Sequence, residues 1–254
     1  MINYYGTAAT LYEPGAKYFP SHALGTIALC EALASSSDRQ ARTAAQVAVK
    51  FIVLTQNQDG GWGYAPKTPK KSADESNMDA TAWNIAALKA AEWSGVNVPS
   101  TTFAQAGKYL DSMRTQDRTG YRRDSSSDLR DTTATAAAVI SQMYLGWPRQ
   151  HPELAGYVAG ITPSGPSTRG HLLLNFLNSQ ILRDAGDSGW KTWNAALRDH
   201  LIAAQESQAD EAGSWMFHSS LSHNKYGGRL YCTALAALIL EVYYRNPPIY
   251  PPGN

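Results

Sequence analysis

Two stretches of the chain place carboxylates where apolar helices should begin. One is Asp128-Leu129-Arg130-Asp131-Thr132-Thr133-Ala134; the other, Ser76-Asn77-Met78-Asp79-Ala80-Thr81-Ala82, repeats the same grammar one helical hairpin earlier. A carboxylic acid kept neutral by its surroundings can donate a proton to an alkene or an epoxide. Two carboxylates facing each other across an open cleft roughly 5 to 9.5 Å wide can hydrolyse a glycosidic bond. The plainer role is capping. Asp128 is placed as an N-cap and Asp131 in a first turn, where a carboxylate meets the positive end of a helix. Asp128, Asp131 and Asp79 are thus the candidates for acid chemistry, and no catalytic residue is assigned among them. Arg130 stays protonated at any working pH and cannot serve as an acid.

Other chemistries lack their residues. The six histidines (His22, His151, His171, His200, His218 and His223) show neither His-x-x-x-His nor His-Glu-x-x-His spacing, so no metal site is expected. His218 and His223 flank a polar loop. Cys30 and Cys232, each inside an apolar run, read as buried free thiols and are too few for a disulfide scaffold. A Gly-x-Ser-x-Gly elbow and a phosphate-binding glycine loop are both missing, and no cofactor is predicted.

The elements that must position these residues are helices of two kinds. His22–Leu33, Asp79–Trp93, Asp131–Leu145, Gly170–Leu182 and Arg229–Tyr244 are apolar nearly all round, which suits an interior. Between them lie segments with a single apolar stripe: Arg39–Leu54, Thr102–Met113, Trp193–Ala204 and the shorter His151–Ile161. The Arg39–Leu54 stripe is Ala44, Ala45, Ala48, Phe51 and Ile52. Alternation of the two kinds predicts an all-α fold in two layers, an α/α toroid or an arc of about five helical hairpins, with inner helices around a central cavity. One domain is expected over residues 1–254, residues 1–20 forming an N-terminal arm with Tyr4, Tyr5, Tyr12, Tyr18 and Phe19. An open α-solenoid is the rival.

If the inner helices run parallel, their N-terminal ends gather at one mouth of that cavity. His22, Asp79, Asp131, Arg169, His171, Arg229 and Tyr231 would then converge there as a ligand site, or would simply cap helices and pair with one another. A net charge of +1 offers no basic field for nucleic acid. No apolar run is long enough to span a membrane. No signal peptide is visible, so a soluble protein of undetermined compartment is expected.

A further pattern recurs at helix ends. Lys50–Tyr64 runs through Gln56 to the turn Asp59-Gly60-Gly61-Trp62. Weaker versions pass through Gln116 to Gly120-Tyr121 and through Gln205 to Gly213-Ser214-Trp215. This resembles the Gln-and-Trp repeat of squalene–hopene cyclases and their prenyltransferase relatives, in which each Gln and Trp tie the end of an outer helix to the following turn. By that resemblance Gln56, Gly61 and Trp62, and Gln205 with Trp215, are structural. The similarity extends from about His22 to Tyr244 and is strongest to the short squalene-cyclase-repeat proteins of bacteria, including the ending Gly228-Arg229-Leu230-Tyr231 to Glu241-Val242-Tyr243-Tyr244-Arg245.

Squalene–hopene cyclases carry Asp-x-Asp-Asp-Thr-Ala at the place of Asp128–Ala134, and their middle aspartic acid is the proton donor; here it is Arg130. The Asp-x-Cys zinc pair of protein prenyltransferases would end at Cys232, but Leu230 and Tyr231 precede it. The Gly-Cys-Gly-Glu-Gln thioester run of complement-like toroids is missing too. The resemblance therefore implies a cyclase-like toroid that binds a lipid, an isoprenoid chain, a carbohydrate or a partner without class II catalysis. The alternative is an enzyme, either an atypical terpene cyclase or prenyltransferase-like protein, or a sugar-acting toroid using Asp79 and Asp131. Five inner helices are one short of the family's six. The ring is therefore expected either to close compactly, bringing reduced Cys30 and Cys232 near each other, or to stay open and be completed by hairpins outside this chain.

Overall fold

The structure, a computed structural model, describes residues 3–5, 8–11, 20–36, 38–66, 74–186, 189–217, 222–244 and 249–250. Along the chain run β1 (Asn3–Tyr5), β2 (Ala8–Thr10), α1 (Pro20–Ala34), α2 (Arg39–Leu54), α3 (Met78–Trp93), α4 (Ser100–Ser112) and α5 (Thr132–Tyr144). They are followed by α6 (Pro152–Ile161), α7 (Leu172–Ala185), α8 (Gly189–Ala204) and α9 (Ser222–Leu240). Each of the nine segments read as helical is a helix. The N-terminal arm differs from expectation: β1 and β2 pair antiparallel, with Tyr5 opposite Ala8. Strands of three residues are too short for alternation to show, although the Gly6-Thr7 dipeptide between them is a hairpin signal. Tyr12, Tyr18 and Phe19 lie outside the described residues.

The chain divides into two compact units, residues 1–146 and 147–254. In the first, α3 packs between α1 and α5, α2 lies against α1 and α3, and α4 lies against α3 and α5. This is the expected layering. The α3 face is buried almost all round, with Ile85, Leu88 and Ala91 fully enclosed and Val139, Ile140 and Met143 of α5 buried with them. The α2 stripe is buried through Ala45, Ala48, Val49, Phe51 and Ile52, while Ala44, read as part of it, is half-buried. The small side chains Ala45 and Ala48 on this stripe are buried, and alanine also favours helix intrinsically. β2 lies against α2.

In the second unit α7 packs on α9, α6 and α8 flank α7, and α8 buries the stripe Trp193, Leu197 and Leu201. α7 ends on Gly186 at φ +71°, the left-handed cap that a residue without Cβ tolerates best. Gly228, at φ +57°, breaks α9, so its regular part starts at Arg229 as the sequence suggests. That helix stops at Leu240 rather than Tyr244, and Tyr244 is left 87% exposed. Among the described residues no helix is long and apolar enough to cross a membrane. Cys30 and Cys232 are buried free thiols, one in each unit, and burial pushes the Cys30 thiol up.

Candidate functional site

The Gln-and-Trp turns have one wiring plan. Trp62 is fully buried, and its indole Nε1–H donates to the Ile52 carbonyl at 2.9 Å; Trp215 does the same to Leu201 at 2.7 Å. Gln56 Nε2 donates to Gly60 O at 2.8 Å and to Thr102 O at 3.0 Å, and Gln205 Nε2 to Gly213 O at 2.9 Å. Both carbonyl acceptors on the outer helix lie four residues before the glutamine, so each tryptophan satisfies a carbonyl of the last turn. These residues tie the turns that precede α3 and α9 to the ends of the outer helices α2 and α8.

A member of this plan escapes the sequence reading. The aromatic residue's backbone N–H donates to a threonine hydroxyl on the next inner helix: Trp62 to Thr81, Tyr121 to Thr135 and Trp215 to Thr233, each at 3.0 Å. The signal was an Ala-Thr-Ala or Cys-Thr-Ala run, which reads as ordinary helix interior. In the middle repeat Gln116 is exposed, and Thr115 takes over, its N–H and Oγ1–H both reaching Gly120 O. Gly60 needs its missing Cβ: at φ +93° a methyl there would stand 2.1 Å from the Gln105 carbonyl oxygen.

Such turns lead into α3 and α5, whose starts carry Asp79 and Asp131. Asn77 caps α3, its side chain accepting from Ala80 N at 2.9 Å, which leaves Asp79 in the first turn and only 4% exposed. Asp131, not Asp128, caps α5, with Oδ1 accepting from Ala134 N at 2.7 Å. Asp128 lies on the exposed loop and pairs with Arg122 at 3.0 Å. The reason is local: the loop's Tyr121 carbonyl takes the Asp131 N–H, so the helix cannot start three residues earlier.

Between the two carboxylates lies Arg123, which the sequence reading passed over. Its Nη1–H donates to Asp79 Oδ2 at 2.5 Å, and Nε–H and Nη2–H both donate to Asp131 Oδ2 at 3.2 Å. Tyr64 Oη–H donates to the same Asp79 Oδ2 at 3.0 Å. The Arg123 carbonyl also accepts from Met78 N at 2.8 Å, tying its loop to the start of α3. Burial works against the guanidinium's charge, but Asp79 and Asp131 outweigh it and hold its pKa above the ordinary arginine value. The side chains of Arg123 and Asp131 are each about one-third exposed, so the group faces solvent on one side. Arg130 is exposed and lies over Gly120.

The other predicted mouth residues have separate partners. His22 is fully buried: its Nδ1 accepts from Leu11 N at 2.9 Å and its Nε2–H donates to Ala48 O at 3.0 Å. Burial lowers its pKa to about 4 against the opposing pull of the Ala48 carbonyl. In the second unit Arg229 reaches Glu211 at 2.7 Å and Ser214 at 3.0 Å, bracing the turn that bears Trp215. His171 is half-buried at the start of α7, Tyr231 is half-buried on α9, and Arg169 is exposed. A second ionic group lies at the far end of α7, where Arg183 pairs with buried Asp184 at 2.7 Å and also donates to Val242 O. Burial pushes the Asp184 carboxyl up, with Arg183 pulling the other way. The loop at 218–221 lies outside the described residues.

No family profile matches this chain, and neither does any curated protein sequence. A solved structure to which it is similar is the apo form of the type II terpene cyclase MstE from Scytonema, with a TM-score of 0.58. The likeness covers 94% of this chain and 67% of that one at 15% identity. The fold is terpene-cyclase-like. It is of the α/α-toroid class, helical apart from the short β1–β2 pair, and at that identity the likeness speaks for fold alone.

Proposed function

We propose that this terpene-cyclase-like chain binds a ligand or a partner at the starts of its inner helices and does not carry out proton-initiated cyclisation. Arg123 lodged between Asp79 and Asp131 is the observation that carries this reading. A guanidinium has donors and no acceptor, so each carboxylate oxygen it meets must accept. Both oxygens of Asp131 are spent in this way, one on Arg123 and one on Ala134 N, leaving neither placed to deliver a proton. The position that carries the acid in squalene–hopene cyclases is held by exposed Arg130.

The same arrangement speaks against a sugar hydrolase. A glycosidic oxygen, with or without a water, must fit between the paired carboxylates. Here one side chain touches both and fills that gap. The ligand classes compatible with the fold are an isoprenoid or other lipid chain, or a carbohydrate; in the first unit the proposed binding residues are Asp79 and Asp131. Residues 1–254 are proposed to act as one domain, which a single cooperative unfolding transition would support and two separated transitions would refute.

Calorimetric titration of the whole chain with a dispersed polyprenol, and separately with an oligosaccharide, tests the binding reading. Saturable binding that Asp131→Asn weakens, with helix content unchanged, is expected for one of the two. Heats that never saturate for both would overturn it.

A further inference from the structure

Beyond α9 the chain carries the run Pro247-Pro248-Ile249-Tyr250-Pro251-Pro252. Proline has no backbone N–H and a fixed φ, so Ile249 and Tyr250 hold the only amide donors in that run. Neither residue lies in a helix or a strand, yet both are held. The Tyr250 Oη–H donates to the Trp147 carbonyl at 2.7 Å. The Arg149 guanidinium stands 5.3 Å over the Tyr250 ring, and its Nη2–H reaches the Tyr250 carbonyl at 3.5 Å. At the end of α7, burial pushes the Asp184 carboxyl up, while Arg183 and the Ile249 backbone N–H pull the other way. Two residues of irregular chain thus join the loop before α6 to the end of α7.

These contacts are few and polar. Ile249 and Tyr250 are half-buried, and Tyr244, on the approach from α9, is 87% exposed. The helix beneath is held differently, with Ile181 and Leu182 of α7 fully enclosed. A segment with little buried apolar surface opens at a lower free-energy cost than a packed helix. Closure also carries a cost of its own, because Arg149 Nε is enclosed without an acceptor among the described residues. The flanking prolines act in the other direction: they narrow the states open to the released chain and so lower the entropy lost on closing.

From these contacts we infer that Ile249 and Tyr250 form a clasp over the end of α7, which opens as a unit while the helices stay folded. Closed, it fastens the loop at Trp147 and Arg149 to Asp184, which is 4% exposed. Open, it gives the Asp184 carboxylate and the Arg149 guanidinium to water. The second unit therefore carries a local switch between a covered and a hydrated ionic group, apart from the binding residues proposed in the first unit.

Amide hydrogen exchange of the whole chain, followed residue by residue by NMR, tests this. In wild type the Ile249 amide is expected to be protected, yet to exchange about tenfold or more faster than Ile181. Tyr250→Phe keeps the ring and removes the Oη–H, and should speed Ile249 by roughly two- to tenfold while leaving Ile181 unchanged. Tyr250→Ala, which also removes the ring beneath Arg149, should speed it further. An unprotected Ile249 in wild type would show that no clasp closes, and exchange in step with Ile181 would show that none opens separately. Either result overturns the inference, as does an Ile249 rate that neither variant moves.

Discussion

Replacing Trp62 by alanine should be among the most damaging single changes in the first unit. The indole is fully enclosed, and its N–H closes on Ile52 O at 2.9 Å. Truncating a buried tryptophan costs about 3 to 5 kcal/mol through lost burial and the cavity left behind. The lost hydrogen bond adds little, because Ile52 O still accepts from Thr55 Oγ1 at 3.2 Å. Trp62→Phe keeps most of the ring and loses the donor, so its cost should be about 1 to 2 kcal/mol. The backbone N–H to Thr81 survives in both variants and should keep the turn in register. Urea unfolding followed by far-ultraviolet circular dichroism measures the difference, and an unchanged slope would show that stability alone has moved. A loss below about 1 kcal/mol for Trp62→Ala would refute the view that this residue ties the turn before α3 to the end of α2.

Acid should act through His22. Its folded pKa of about 4 lies below the unfolded value of 6.5, so its contribution is complete above pH 6.5 and is lost as pH falls towards 4. The shift corresponds to about 3 kcal/mol, and His22→Gln should remove most of that acid dependence from the urea midpoint; parallel pH profiles for variant and wild type would contradict it. Gly60→Ala should destabilise sharply, because the added methyl meets the Gln105 carbonyl at 2.1 Å; a thermal transition unchanged from wild type would show that the turn can give way. Thr81→Val should cost about 1 to 3 kcal/mol by leaving the buried Trp62 N–H without its acceptor, and a urea midpoint unchanged from wild type would contradict it.

The helices were legible because their signal is repetitive and local. An apolar surface on every side of α3 and α5, against a single stripe on α2 and α8, separates inner from outer without any knowledge of contacts. Trp62 and Trp215 could be read as equivalent because glutamine, glycine and tryptophan keep their order in both turns. Arg123 could not be read in this way. It lies in Arg122-Arg123-Asp124-Ser125-Ser126-Ser127, which looks like a solvated loop, and its partner Asp79 is distant in sequence. His22 stands near a helix start, and nothing in its own helix shows that the Leu11 N–H and the Ala48 carbonyl enclose it. The threonines of the turn network were hidden for the opposite reason. A threonine between alanines inside an apolar helix looks like filler until its hydroxyl is seen to serve a neighbouring turn.

Absence of proton-initiated chemistry at the inner-helix starts is the claim on which the functional reading turns. Prolonged incubation of the purified chain with squalene and with oxidosqualene, followed by gas chromatography and mass spectrometry of the extract, tests it most directly. Unreacted substrate is expected from the wild type and equally from Arg130→Asp, since Arg123 would still occupy both Asp79 and Asp131. A cyclic triterpene formed by the wild type, and lost with Asp131→Asn, would contradict it.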